Sequence, residues 1–121
     1  MIHTITKLSG LFSDHEECLL LTPGEKLFHQ GDTGNLMYVV KYGEVDIRVN
    51  GKLVGHGIAG NPLGEESLVD NIPRMSTVIA ATECKLIVVD RMRLNTLVNS
   101  MPIILNQFKH LLKLRRIVWT P

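Results

Sequence analysis

The stretch EVDIRVNGKLVGH, residues 44–56, constrains the fold more than any other. Val45, Ile47 and Val49 alternate with Glu44, Asp46 and Arg48, so an extended chain here has one apolar and one charged face. Asn50-Gly51 follows at once, and both residues tolerate the positive φ that a two-residue hairpin turn demands. KLVGH is then predicted to be the returning strand. A hairpin with one apolar face is marginal alone and must be covered by further strands.

The surrounding sequence supplies them. After CLLL, the proline and glycine of TPG (22–24) predict a turn, EKLFH a strand, and QGDTGN (30–35) another turn. LMYVVKYG (36–43) reads as a strand, and STVIAA and CKLIVVD as two more, separated by TE. Roughly eight short strands at close spacing, with no crossover helix between them, predict a mainly β fold: an antiparallel β-roll of jelly-roll type. The period changes after Asp90. DRMRLNTLVNS predicts a helix capped by Asp90, with Leu94, Leu97 and Val98 on one face. A second helix is predicted from Pro102, with Ile104, Leu105, Phe108, Leu111 and Leu112 as its apolar stripe. Ser13 and Glu16 have capping-box spacing and predict a short N-terminal helix. The expectation is one domain over 1–121, with a β-roll at about 17–90 and a helical tail at about 91–118.

Charge sharpens the division. Residues 1–90 carry 7 basic and 12 acidic side chains, and residues 91–121 carry 6 basic and none acidic. The tail suits docking on its own domain, on a second copy in a homodimer, or on an acidic effector protein. Its few cations are too small a cluster to imply nucleic acid, and it leaves no room for a helix-turn-helix. No apolar run reaches the roughly 18 residues that cross a bilayer, and MIHTITKLSGLF lacks the pattern of a signal peptide. Cys18 and Cys84 are therefore read as reduced thiols, and a cytoplasmic location is expected. The five histidines (His3, His15, His29, His56, His110) form no H-x-H pair and no G-x-S-x-G occurs, so neither a metal site nor catalysis is expected.

The remaining feature is LGEESLVDNIPRMSTV, residues 63–78. Gly64 permits a tight turn and EESLV one turn of helix, whose first N–H groups have no internal partner and attract anions. Arg74, placed by Pro73 at the start of the next strand, can give two parallel bonds to a phosphate. Glu65 is an acceptor and suits a sugar hydroxyl. From spacing alone, a ligand carrying ribose and phosphate and a buried Glu65–Arg74 ion pair without ligand remain equal alternatives.

This stretch resembles the pattern F-G-E-x-A-L, a short gap, then P-R-x-A-T-V, the phosphate-binding cassette of the cyclic-nucleotide-binding domain family. The resemblance extends through PGEKLFHQGDTGNLMYVVKYGEVDI and CKLIVVDRMRLNTLV, so roughly residues 22–110 match in order and spacing. It implies a sensor domain without enzymatic activity or cofactor, with a cyclic nucleotide as ligand. By position, Glu65 would accept the ribose 2′-hydroxyl and Arg74 would hold the phosphate. The N–H groups of Glu66 and Ser67, together with Gly64 and Ser76, would complete the cradle, and Ile47 and Val54 would line the pocket. Met75 stands where a hydroxyl commonly favours cGMP. Its thioether donates no hydrogen bond, which favours cAMP. In this family the helical tail passes binding to an output, and Trp119 could stack on the base. Three positions depart from the pattern: Leu63 replaces an aromatic residue, Glu66 an apolar one, and Ser67 a small apolar one. Provided its side chain points to solvent, Glu66 would repel phosphate at a cost of roughly fivefold in affinity and would weaken binding without abolishing it. A ligandless interaction or dimerisation module with a degenerate cassette is the competing expectation.

Overall fold

The structure, a computed structural model, describes residues 17–100. The predicted N-terminal helix, the helix from Pro102, Trp119, His3, His15 and His110 lie outside the described residues. Eight strands occur among the described residues: β1 (Cys18–Leu21), β2 (Lys26–Phe28), β3 (Leu36–Tyr42), β4 (Val45–Val49), β5 (Lys52–Gly57), β6 (Pro62–Leu63), β7 (Thr77–Ala80) and β8 (Cys84–Asp90). Helix α1 (Glu65–Val69) separates β6 from β7, and α2 (Arg91–Ser100) follows β8. The strands form two four-stranded antiparallel sheets, ordered β1-β8-β3-β6 and β2-β7-β4-β5. This is the β-roll that the strand spacing predicts.

The hairpin forms as its sequence demands. Asn50 and Gly51 take φ of 52° and 80°, and Val49 pairs with Lys52. One register shift leaves Val54 as an extra residue of β5 opposite the Ile47–Arg48 step, while Val45, Ile47 and Val49 stay inside. Elsewhere the strand is shorter than predicted. EKLFH yields only Lys26–Phe28, because Glu25 instead closes the preceding turn: its Oε1 accepts from Thr22 N (2.8 Å) and Thr22 Oγ1 (2.7 Å). These bonds hold the Glu25 carboxyl below the usual carboxylate range.

Alternation along the central strands builds two cores. Tyr38 and Val40 of β3 and Leu86 of β8 face the interior of the roll, where they meet Phe28, Val45, Ile47, Leu63 and Val78. Met37 and Val39, with Ile87 and Val89, face the other way and pack on Leu68 of α1 and Leu94 of α2. The run Met37–Val40 is therefore buried on both faces. Asp90 Oδ1 accepts from Arg93 N at 2.7 Å and so caps α2 as predicted. Arg91 Nη1 donates to the Leu68 carbonyl at 2.9 Å, which ties the start of α2 to α1. Cys18 and Cys84 lie on the paired strands β1 and β8, opposite Ile87 and Leu21 respectively, and so do not face each other. Among the described residues, no helix is long and apolar enough to cross a membrane.

Candidate functional site

The chain enters α1 through Gly64, whose φ of 75° lies in the left-handed region. A side chain is unfavourable there twice over: for the backbone, and because a Cβ would collide with the Arg74 guanidinium and come within 3.1 Å of the Phe28 ring. No side chain caps the helix, and its first turn carries Glu65 and Glu66. Leu68 and the sheet beneath it pull the whole turn inward. Glu65 is 0% exposed, Glu66 1% and Ser67 0%.

Arg74 does not begin a strand as predicted; β7 starts at Thr77. Its backbone is instead held by the loop after β2, with Arg74 N donating to Asp32 O and Gly31 N donating to Arg74 O, both at 2.8 Å. The side chain turns into the protein and is 5% exposed. Its guanidinium carbon lies 4.3 Å from the centroid of the Phe28 ring, and Nη1 donates to the Gly64 carbonyl at 3.1 Å. The same carbonyl accepts Ser67 N at 3.3 Å. Gly34 completes the slot, since a Cβ there would collide with the guanidinium. Thr33, Gly34 and Asn35 line a cavity of about 310 Å³ on that loop.

Burial pushes the guanidinium below the usual arginine value; the opposing pull comes from Tyr38 first, then Glu66, Asp32 and Glu65. Arg74 thus sits in a mostly acidic surrounding and stays charged. Tyr38 is pushed above the usual tyrosine range by burial, against a smaller lowering by Arg74. The unfolded chain therefore loses the phenol proton first, at about pH 10. Stability from this group is intact below that pH and is lost as pH rises through the folded value. Tyr38→Phe should flatten the alkaline loss of stability, measured by urea titrations between about pH 9 and 11.

The residues singled out from the sequence are brought together in part. Gly64, Glu65, Glu66, Ser67 and Arg74 form one buried cluster. Ser76 is buried and Met75 half-buried just beyond it. Ile47 is buried in the interior of the roll and Val54 packs against that cluster from β5, alongside Phe28 and Leu63. Glu66 does not point to solvent: the short helix is enclosed on all sides, with Glu65, Glu66, Ser67 and Leu68 all buried. Phe28, Gly34 and Tyr38 were not singled out. Their only signal was membership of the PGEKLF…GDTGNLMY block, since nothing local links them to Arg74. His29 and His56 are exposed, and His56 Nδ1 lies 2.9 Å from Asp46 and 3.3 Å from Glu44.

Residues 19–101 match the sequence model of the cyclic nucleotide-binding domain. The chain belongs to this family. Similar proteins include the cAMP-dependent protein kinase regulatory subunit of Eremothecium gossypii, 37% identical over 60% of this chain and 16% of that protein. The subunit of the same description from Yarrowia lipolytica is 40% identical over 56% of this chain and 18% of that protein. The chain thus spans less than a fifth of the length of these curated relatives. Among solved structures, the catabolite activator protein of Thermus thermophilus superposes with a TM-score of 0.74 at 26% identity, over 83% of this chain and 49% of that one. PKAR CBD2 bound to Sp-2Cl-cAMPS has a TM-score of 0.70 at 23% identity, over 80% of this chain and 66% of that one, a likeness of fold. The mainly β, two-sheet architecture of this family is the one observed.

Proposed function

We propose that this domain is a regulatory sensor that binds a cyclic nucleotide, cAMP in preference to cGMP, and carries out no chemistry. The observation that supports the reading is a buried glutamate on one short helix turn and a buried arginine from the loop that follows it, both within the stretch matched to the cyclic nucleotide-binding domain. Arg74 exchanges the Gly64 carbonyl for phosphate oxygens, and its fork supplies two parallel bonds. Glu65 accepts from the ribose 2′-hydroxyl. The N–H groups of Glu66 and Ser67 and the Ser76 side chain or backbone surround the phosphate. Ile47 and Val54 contribute apolar contact from inside the roll. Met75 offers no hydrogen bond to a guanine, which favours adenine.

Signalling follows from the packing of α1. Leu68 shares a core with Leu94, and its carbonyl accepts from Arg91, so a shift of α1 onto a ligand changes the seat of α2. Ligand favours the conformation in which both contacts are made, because only that state gains them. The tail then repacks and presents a changed surface to an effector protein or a second copy.

A second reading has one observation in its favour: the guanidinium already has a ring face and a carbonyl as partners within the protein. On that reading the roll is a ligandless interaction module. Calorimetry of the chain with cAMP and cGMP decides between them, and hydrogen exchange reports the switch. Binding of cAMP with protection of residues 100–118 is expected. Unchanged exchange at saturating cAMP would remove the switching claim, and absence of binding at millimolar ligand would leave the module reading. A micromolar site at millimolar ligand adds about 4 kcal/mol of stability, visible as a thermal shift.

A further inference from the structure

Glu66 is the one member of the cluster that the cradle does not need as a carboxylate. It is 1% exposed, and its Oε2 is buried with no hydrogen-bond partner among the described residues. Such an oxygen is costly unless a charge compensates it. Arg74, the one buried cation among the described residues, lies within the electrostatic reach of Glu66. Among the carboxylates acting on that cation Glu66 is the strongest, ahead of Asp32 in the neighbouring loop. Glu66 therefore sets a buried negative charge near Arg74 before any anion arrives.

We infer that Glu66 is a specificity-determining residue that makes the cassette select phosphate by charge, admitting a phosphodiester monoanion and rejecting a phosphomonoester dianion. The inference rests on the ligand reading above. A cyclic phosphodiester brings one negative charge, which Arg74 can balance. A phosphomonoester brings close to two at neutral pH. Repulsion from a fixed carboxylate scales with the ligand's charge, so the second charge is penalised again by the same group. Glu66 is buried, so salt screens this repulsion far less than it would at the surface. An apolar or amide side chain at this position would lower affinity for neither ligand and would favour the dianion more.

The test compares cAMP and 5′-AMP by calorimetry at fixed ionic strength and at about pH 8, where the monoester is fully ionised. The full chain is used as wild type, Glu66→Gln and Glu66→Leu. Gln keeps the shape and Leu fills the space with apolar atoms, so two chemically different replacements report on one charge. Unliganded thermal melts confirm that each variant folds. The wild type is expected to prefer cAMP. Both variants should bind cAMP more tightly, and 5′-AMP should gain more, so that the preference narrows about fivefold. A preference unchanged in both variants, with the wild type binding cAMP, overturns the inference and leaves the sensor reading standing. A wild type that binds neither nucleotide overturns both.

Discussion

Arg74→Ala is expected to lose roughly 2–5 kcal/mol of cAMP binding, about 30-fold to a few thousandfold in affinity. The physical reason lies in burial. At 5% exposure the guanidinium interacts with a ligand through little intervening water, and its removal leaves phosphate near Glu66 with no buried cation among the described residues. Arg74→Lys should recover only part of the loss. It keeps the charge but not the planar fork, and an ammonium stacks less well on the Phe28 ring, which lies 4.3 Å from the guanidinium carbon. Calorimetry with cAMP on the three proteins measures this directly. Melts without ligand separate it from any change in fold, since the same substitution also removes a buried cation that interacts with the Phe28 ring and the Gly64 carbonyl. Equal affinity in wild type and Arg74→Ala would mean that phosphate is held elsewhere.

Leu68→Ala should cost about 2–5 kcal/mol of folding stability. Leu68 is 1% exposed and, with half-buried Val69 beside it, joins α1 to Met37, Val39, Ile87, Val89 and Leu94. Truncation removes apolar burial and leaves a cavity between two helices and a sheet, which can close only by moving α1. Urea titration should show a lower midpoint with an unchanged slope. Because α1 also carries Glu65, cAMP affinity should fall as well. A loss below about 1 kcal/mol would place the anchor of α1 elsewhere.

The contrast between two glutamates shows how far the sequence could be read. Glu65 was legible: it follows a glycine that needs positive φ, and its spacing to Pro73-Arg74 is a local pattern. Glu66 is equally local, yet its burial is not legible from the sequence. Acidic residues in a first helical turn usually face water, where the helix end favours them. Here the helix is a single turn pressed against β3, so one face cannot be kept outside. Phe28 and Gly34 illustrate a different gap. Each is an ordinary strand or loop residue until Arg74 folds onto it, and sequence spacing says nothing of a contact made across the roll.

What the chain alone decided is what its short range dictates. Period-two runs and the Asn50-Gly51 turn specify strands and a hairpin, because side-chain alternation and backbone sterics act over a few residues. Only the packed roll decided where charge is buried. Desolvation of Arg74 and its contacts with the Phe28 ring and the Gly64 carbonyl depend on which distant segments close over one another, and that is a property of the assembled sheets.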